Sequence, residues 1–338
     1  MKKALILGAT GAMAVYLIPL LLEKGYTVTG VALNDTAFTH PRYTHITGNA
    51  KDLDFLREEL KKEYDAVVDF MIYNVPADYA PFMDLFLAST EHYIFLSTYR
   101  VYGNEYPITE ESLRVKEMEK DPDFVFDKEY CIYKADEEDM LRASGKKNFS
   151  IVRPSITYSK GRFQLTTLEA SIVVYRMLTG KTVILPECAM DIEATMTWAG
   201  DTARMFAAVI GNEKAFGETY TFATAEHMPW REVAKIYAEA GGLKYITVPE
   251  EDYLELISPK AEGWQHYPRQ QLRYDRCFHR VVDNSKILAL MGETQEDLTP
   301  LAEGLRRELA DATLDSIPTD PIINARMDGY LLAKGEKT

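Results

Sequence analysis

The feature that most constrains the fold is a glycine turn between a short apolar run and a helical pattern. The run reads KALILG, and the turn GATGAMA places Gly8, Gly11 and Ala14 at the spacing G-x-x-G-x-x-A. An apolar run without alternation is typical of a strand buried on both faces of a parallel sheet. A helical pattern over 15–24 ends at Gly25, and YTVTGVAL follows as a second strand. This order predicts a dinucleotide-binding unit in a doubly wound α/β fold.

Each small residue of the turn has a physical role in such a unit. Gly8 permits the tight turn, Gly11 lets backbone approach a pyrophosphate, and Ala14 allows close packing of helix and strand. The helix N-terminus supplies N–H groups and the positive end of its dipole to the phosphates. The alternative interpretation is a purely structural glycine turn in another kind of α/β protein.

The end of the second strand bears on the choice of cofactor. Asn34 or Asp35 can bind a ribose hydroxyl there, and no Lys or Arg occurs from 31 to 39 to accommodate a 2′-phosphate. The sequence therefore favours NAD, with NADP left open.

Length and charge limit the architecture and the partners. A chain of 338 residues exceeds what one core usually serves. We expect a Rossmann domain over 1–160 and a smaller mixed α/β substrate lobe over 161–338, with a strand near 217–223 returning to the main sheet. The net charge of −14 argues against a nucleic-acid partner, because neutralising phosphates needs clustered Lys and Arg.

Cysteine use and apolar runs bear on location. The three cysteines are Cys131, Cys188 and Cys277, without metal spacing, which predicts free thiols in a reducing cytoplasm. No later run approaches the ~20 apolar residues that a membrane span needs. The opening MKKALILGATGAMA imitates a secretory signal, but the apolar LIPLLL after its A-x-A favours keeping the segment in the fold.

A second group of reactive side chains follows in the middle of the chain. HYIFLSTYRVYG reads as a buried strand with Ser97 and Thr98 at its carboxyl end, where ligands bind in open α/β sheets. YCIYK places Tyr130 and Lys134 on one helical face, and another buried strand begins at Phe149. The spacing predicts a phenol held beside an ammonium, although a packing tyrosine on a helix face would give the same letters.

On these segments the chain resembles an extended short-chain dehydrogenase/reductase of the NAD-dependent epimerase/dehydratase family. The resemblance covers nearly the whole chain and rests on motifs in the family's order. They are the glycine turn 8–14, Ser97-Thr98-Tyr99-Arg100-Val101-Tyr102-Gly103, Tyr130 to Lys134, Arg153-Pro154, Trp198 to Ala203, and Asp283-Asn284-Ser285-Lys286.

The resemblance implies a role for each residue of the catalytic group. Tyr130 would be the general acid/base on a substrate hydroxyl or carbonyl. Lys134 would lower the pKa of that phenol and bind the nicotinamide ribose, and Thr98 would hydrogen-bond the reacting oxygen.

The resemblance also implies contacts with cofactor and substrate. The implied cofactor residues are Gly8, Thr10, Gly11, Ala12, Met13, Asn34, Asn49, Ala50, Phe70, Tyr130, Lys134 and Pro154. The implied substrate residues are Ser97, Thr98, Arg100, Arg276 and Arg280.

Two of these arginines come from the most basic stretch of the chain, 266–280. Arg276 and Arg280 are the candidates for a nucleotide-sugar diphosphate, and the alternative is a solvated face that pairs with surplus carboxylates. Arg100 could meet an anionic substrate or a surface acid. The histidines show no metal spacing, so no metal site is expected.

Departures from the family's pattern narrow the chemistry. Tyr99 and Arg100 stand where 4,6-dehydratases carry acidic residues, so that dehydration is not expected. Asn49 replaces the usual acid near the adenine. Asp69-Phe70-Met71-Ile72 replaces the usual H-x-A-A, a variant of a branch that includes chloroplast stem-loop RNA-binding proteins.

Three functions remain as hypotheses. The first is an NAD-dependent epimerase or oxidoreductase acting on a hydroxyl or keto carbon of a nucleotide sugar through Thr98, Tyr130 and Lys134. The second is an NADPH-dependent reductase of a small keto substrate. The third is a non-catalytic dinucleotide- or RNA-binding module. A homodimer is implied by the resemblance alone.

Overall fold

A computed structural model describes residues 2–73, 75–118, 124, 129–259 and 266–336. The strands are β1 Lys3–Leu7, β2 Thr27–Ala32, β3 Tyr43–Thr47, β4 Tyr64–Asp69, β5 Thr90–Leu96, β6 Phe149–Pro154, β7 Ile156–Tyr158, β8 Gln164–Leu165, β9 Leu168–Glu169, β10 Thr182–Pro186, β11 Glu193–Ala194, β12 Met196–Trp198, β13 Thr219–Phe222, β14 Met228–Pro229 and β15 Lys244–Val248. The helices are α1 Ala14–Glu23, α2 Leu53–Glu59, α3 Pro76–Ser89, α4 Tyr130–Ala143, α5 Ala170–Leu178, α6 Ala199–Val209, α7 Trp230–Gly241, α8 Glu250–Ile257, α9 His266–Gln271, α10 Ser285–Met291, α11 Leu301–Leu309 and α12 Pro321–Ala333.

A seven-stranded parallel sheet forms the centre of the molecule, in the order β13-β6-β5-β4-β1-β2-β3. The apolar strands β1 and β4 lie in its middle and are almost wholly buried, as expected for strands covered by helices on both faces. The order reverses between β1 and β4, so the carboxyl ends of these strands open a crevice at the switch point. The predicted doubly wound α/β class is confirmed.

Helices cover both faces of this sheet. Apolar residues of α1, α6 and α10 pack on one face, and those of α2, α3 and α4 pack on the other. The two layers hold the β1–α1 turn and the N-terminus of α4 at the carboxyl edge of the sheet.

The remaining elements build a second lobe on a separate core. This core gathers α5, α7, α8, α11 and α12 around the parallel pair β10–β15. The chain passes between the lobes more than once, because β13 leaves this region to pair with β6 at the edge of the main sheet. Among the described residues, none of the helices has the length and apolar composition needed to cross a membrane.

Candidate active site

The glycine turn between β1 and α1 adopts a conformation that only glycine fits. Gly8 has φ of +88°, and a Cβ there would lie 2.7 Å from Met71 Cε and 3.1 Å from Phe70 Cβ. The Gly11 N–H donates to the Gly8 carbonyl oxygen at 2.9 Å and so closes the turn. A Cβ on Gly11 would lie only 3.1 Å from the same oxygen. The turn therefore presents bare backbone at the N-terminus of α1, where the Val15 and Tyr16 N–H groups donate to the Gly11 and Met13 carbonyls, each at 3.2 Å. These features fit a dinucleotide's pyrophosphate.

A cavity of about 460 Å³ opens over this turn at the carboxyl edge of the sheet. This volume falls in the usual range of small-molecule sites. Its wall contains nearly all of the residues predicted to bind a cofactor, namely Gly8, Thr10, Gly11, Ala12, Met13, Asn34, Asn49, Ala50, Phe70, Tyr130 and Pro154. Lys134 does not line it.

At one end of the cavity the wall follows β2 and β3, where the sequence predicted ribose and adenine contacts. Asn34 and Asn49 lie there, together with the exposed apolar side chains of Leu33 and Ile72. Lys51, which sequence reasoning missed, also lines this end, and its ammonium donates to the Ile72 carbonyl at 3.1 Å. The preference for NAD rests on the lack of Lys or Arg from 31 to 39. Lys51 lies outside that range, and the structure places its positive charge at the same end of the cavity.

The end of β5 brings two hydroxyls to the cavity wall. Thr98 starts the short helix Tyr99–Val101, and its Oγ1 accepts from the Arg100 backbone N–H at 3.2 Å. Ser97 donates its hydroxyl to Glu138 at 2.6 Å, and that carboxylate also binds the buried Arg153. The Ser97 hydroxyl is therefore already bound within the protein, whereas Thr98 keeps a hydroxyl proton to donate.

Tyr130 is the first residue of α4 and faces the same cavity. Burial raises the pKa of its phenol above the ordinary value, and the positive charges of Lys134 and Arg100 oppose this rise. The resemblance implies that Lys134 lowers this pKa. The direction of that contribution is confirmed, but burial outweighs it.

Lys134 lies one turn further along α4 and is only 1% exposed. Its ammonium forms an ion pair with Glu137 at 2.9 Å and lies 4.7 Å from the centre of the Phe95 ring. Burial raises the pKa of the Glu137 carboxyl, and Lys134 opposes that rise. The predicted ribose ligand is thus held by a carboxylate that sequence reasoning did not single out.

Asp69, at the end of β4, contributes a second buried acid behind Lys134. It accepts hydrogen bonds from the Tyr73 and Tyr93 hydroxyls at 2.9 Å and 3.0 Å, and from the Met71 N–H at 2.9 Å. Burial raises the pKa of this carboxyl, and its hydrogen bonds and Lys134 oppose the rise. The acid of the unusual D-F-M-I motif therefore joins β4 to β5 beneath the cavity, while the next residue, Phe70, lines it.

The three arginines predicted to bind substrate converge on one buried carboxylate. Arg100, Arg276 and Arg280 all form ion pairs with Asp275, and Arg100 also pairs with Glu129 at 2.8 Å. None of these arginines lines the cavity over the glycine turn. Arg276 and Arg280 are 3% and 2% exposed, so the alternative of a solvated face does not describe them.

Arg100 nevertheless lies close to Tyr130. Its guanidinium carbon is 5.7 Å from the centre of the Tyr130 ring and 5.3 Å from that of Tyr267. Its positive charge therefore favours ionisation of the Tyr130 phenol, although Arg100 does not line the cavity.

Arg162 is, after Lys51, a second positive side chain on the cavity wall that no sequence motif indicated. It follows β7 in a tight bridge with Ser159, and it lines the cavity with Ser155 and Thr157. In the part of the chain that the structure describes, its guanidinium has neither an ion pair nor a hydrogen bond to another side chain. No motif singles out this arginine, because only the path of the loop between β7 and β8 brings it to the cavity wall.

The chain is similar to known proteins in sequence over part of its length and in fold over most of it. No model of a known protein family matches it. Among curated proteins, the chloroplast stem-loop binding protein of 41 kDa b from Arabidopsis thaliana is 27% identical over 258 residues. That match covers 71% of this chain and 64% of the plant protein, so the chain spans less than two thirds of that relative.

Solved structures resemble the chain over most of its length. The dTDP-glucose 4,6-dehydratase from Bacillus anthracis, crystallised with NAD, is 16% identical and covers 92% of this chain and 96% of its own, with a TM-score of 0.68. The UDP-glucose 4-epimerase from Thermotoga maritima, crystallised with UDP-glucose, is 15% identical and covers 91% and 97%, with a TM-score of 0.66. The resemblance to NAD-dependent epimerases and dehydratases is confirmed at the level of the fold.

Proposed function

We propose that this chain, which shares the fold of NAD-dependent epimerases and dehydratases, is an NAD-dependent epimerase or oxidoreductase acting on a carbinol carbon of a nucleotide sugar. The observation that carries the proposal is that Thr98 and Tyr130 lie on the wall of the cavity opened by the glycine turn. A hydroxyl pair beside a dinucleotide site suits removal of a hydride from the carbinol carbon and of a proton from the oxygen that this carbon carries.

The chain's own residues divide the work as follows. The glycine turn and the N-terminus of α1 bind the pyrophosphate, and the Asn34–Asn49 end of the cavity takes the adenosine half. NAD, when bound, would take the hydride and return it. Thr98 donates a hydrogen bond to the substrate oxygen, and Tyr130 exchanges a proton with that oxygen.

The raised pKa of Tyr130 makes the phenol a proton donor in the cofactor-free protein. To act as the base for oxidation it must first lose its proton. A positive nicotinamide nearby would add to the charges of Lys134 and Arg100, which already favour the phenolate. Cofactor binding is therefore expected to activate the residue.

The first test is mass spectrometry of the nucleotide released when freshly purified protein is denatured. Stoichiometric NAD is expected if the cofactor stays bound through the catalytic cycle, as in an epimerase. Release of NADP, or of no nucleotide, would contradict a retained NAD and favour a reductase or a binding module.

A Tyr130→Phe variant tests the acid/base role. Turnover of a nucleotide sugar found by screening should fall about 10²- to 10⁴-fold, the usual contribution of a positioned acid or base. Tyr133→Phe is the matched control, since Tyr133 is absent from the cavity wall. Equal turnover in wild type and Tyr130→Phe would reject the mechanism.

A second candidate function is binding of stem-loop RNA without catalysis. The similarity to the plant stem-loop binding protein favours it, and so does the withdrawal of Lys134 into an ion pair. The net charge of −14 opposes it. Salt-dependent binding of a stem-loop RNA by protein that turns over no nucleotide sugar would favour this candidate.

Assembly as a homodimer and a cytoplasmic location are further parts of the proposal. Sedimentation of the purified chain tests the first, and fractionation of its cells tests the second.

A further inference from the structure

Two cysteines that lie far apart in the chain meet at the surface of the second lobe. The Cys277 thiol donates to the Cys188 sulfur at 3.7 Å, across a sequence separation of 89 residues. Cys188 is exposed and Cys277 is partly exposed, so reagents in solution reach the pair. The third cysteine, Cys131, is buried elsewhere.

Backbone contacts on both sides hold the two thiols together. Cys188 belongs to the short helix Glu187–Ala189, and Cys277 follows the helical turn Leu272–Arg276. Trp230 joins the two segments, because its backbone N–H donates to the Ile192 carbonyl at 3.1 Å and its indole N–H donates to the Arg276 carbonyl at 3.2 Å.

A further hydrogen bond lies beyond Cys277. The Arg280 N–H donates to the Glu193 carbonyl at 2.9 Å. The approach of the sulfurs is thus set by the packing of two backbone segments rather than by a chance rotamer of one side chain.

We propose that Cys188 and Cys277 form a redox-sensitive dithiol that hydroperoxides oxidise to an intramolecular disulfide. A disulfide needs about 2.05 Å between sulfurs, so the two must approach by less than ~2 Å from their present separation. The proposal does not depend on the proposed enzymatic function.

The two thiols are suited to different steps of the oxidation. The hydrogen bond from Cys277 lowers the pKa of the Cys188 thiol and raises that of Cys277. Since the thiolate is the nucleophile, Cys188 reacts first and Cys277 resolves the product.

The chemistry balances with hydrogen peroxide as the oxidant. The Cys188 thiolate attacks one peroxide oxygen, the O–O bond breaks, and the departing hydroxide takes a proton to become water. The Cys277 sulfur then attacks the sulfenic sulfur of Cys188, the S–O bond breaks, and the Cys277 proton leaves with the oxygen as a second water. Two thiols are oxidised to one disulfide, and one peroxide is reduced to two waters.

The disulfide would act on a segment that reaches the active site. Asp275, two residues before Cys277, holds Arg100, whose guanidinium lies over the Tyr130 ring. Oxidation therefore links the segment that carries Asp275, the ion-pair partner of Arg100, to the Glu187–Ala189 helix by a covalent bond.

The test uses the full-length reduced protein, treated with hydrogen peroxide in the native state, then denatured and alkylated. Digestion and mass spectrometry should show loss of alkylation at Cys188 and Cys277 together, and a cross-linked peptide lighter than its two halves by two hydrogens. Cys131 should stay alkylatable, because burial raises the pKa of its thiol to about 12. Cys131→Ser is the matched control and should form the same cross-link.

Single variants separate the two roles. In Cys277→Ser the sulfenic acid of Cys188 should persist and be trapped by dimedone, with no cross-link. The proposal fails if peroxide oxidises Cys188 beyond sulfenic acid in the wild type while Cys277 remains alkylatable. It also fails if the cross-linked peptide appears only in dimers on a non-reducing gel.

Discussion

At the scale of single residues, the acidity of Tyr130 depends on charged groups packed behind it. Lys134 and Arg100 lower its pKa, Glu137 raises it, and burial dominates. Because Glu137 lies 2.9 Å from the Lys134 ammonium, its negative charge opposes the effect of Lys134 on the phenol. Glu137 is therefore a positioning residue for the proposed catalytic pair, Tyr130 and Lys134.

A Glu137→Gln variant tests this arrangement. Removal of a nearby negative charge favours phenolate, so the pKa of Tyr130 should fall and the phenol should ionise at lower pH. The measurement is an ultraviolet pH titration of wild type and of Glu137→Gln, with NAD present. The signal of Tyr130 is the difference between each protein and the same protein that also carries Tyr130→Phe. Breaking the buried pair should also cost about 3–5 kcal/mol of the free energy of unfolding.

The matched control is Asp136→Asn, which removes a negative charge from the same helix. Asp136 pairs with Lys116 in a partly exposed site rather than with Lys134. The Asp136→Asn substitution should leave the pKa of Tyr130 unchanged. A Tyr130 pKa that rises in Glu137→Gln would contradict the assignment.

Among the described residues no side chain pairs with the Arg162 guanidinium, so it is available to an anion in the cavity. Hydrogen bonds to charged groups contribute about 1.5–3 kcal/mol, so Arg162→Gln should weaken the binding of an anionic ligand roughly 10- to 100-fold. Calorimetric titration with NAD and with UDP would measure this. A loss confined to one of them identifies the phosphate that Arg162 contacts.

Arg57→Gln is the control for this prediction, because Arg57 is an exposed arginine that pairs with the exposed Asp54 and does not line the cavity. Equal affinities for both ligands in Arg162→Gln and Arg57→Gln would exclude Arg162 from the binding site.

At the scale of elements, the β1–α1 unit positions the phosphate site by backbone shape rather than by side chains. The positive φ of Gly8 and its closeness to Met71 and Phe70 hold the turn directly over the end of β4. Glycine is therefore needed at position 8 because it has no Cβ, which would clash with Met71 and Phe70.

Gly8→Ala and Gly25→Ala form a matched pair. Gly25 ends α1 with φ of +91°, nearly that of Gly8, but a Cβ there would meet nothing within 4 Å. Both variants should lose about 1–2 kcal/mol of stability from a left-handed alanine. Only Gly8→Ala should also lose NAD binding, because its new methyl group displaces the residues at the end of β4.

Urea unfolding measures the first effect and calorimetric titration with NAD the second. If Gly25→Ala weakened NAD binding as much as Gly8→Ala, general destabilisation would explain both results, and the turn would have no special role.

At the scale of the whole molecule, buried polar groups join elements that are distant in the chain. His92 on β5 is wholly buried, with one ring nitrogen 2.9 Å from the Ser150 hydroxyl on β6 and the other accepting from the Gly211 N–H at 3.0 Å. Burial lowers the pKa of this imidazole from 6.5 to about 3. The residue must therefore stay neutral in the folded protein.

This burial predicts a pH dependence of stability. Between pH 6.5 and about 3, His92 is protonated in the unfolded chain and neutral in the folded chain. The contribution of His92 is complete above pH 6.5, and the free energy of unfolding then falls by about 1.4 kcal/mol per pH unit as the pH drops through this window.

Urea unfolding at pH 7 and pH 5 would measure the slope for wild type and for His92→Gln. The variant should show a smaller loss on acidification, while His227→Gln, at an exposed site, should keep the wild-type slope. An unchanged slope in His92→Gln would contradict the prediction.

The sequence alone determined those features that depend on local pattern. The glycine spacing and the unbroken apolar run predicted the β1–α1 turn, because a positive φ and a doubly buried strand leave direct marks on residue type. The wall of the cavity from Gly8 to Met13, and its hydroxyls at Thr98 and Tyr130, followed from motifs whose spacing suits the carboxyl edge of a parallel sheet.

Only the tertiary structure decided which charged side chains face the cavity. Arg276 and Arg280 are predicted to bind a diphosphate or to lie on a solvated face, yet both are buried against Asp275. Arg162 and Lys51 carried no signal, yet loops bring both to the cavity wall. The physical reason is that a charge's partner comes from residues distant in sequence. Whether an arginine binds a ligand or a buried carboxylate therefore depends on packing that local spacing does not encode.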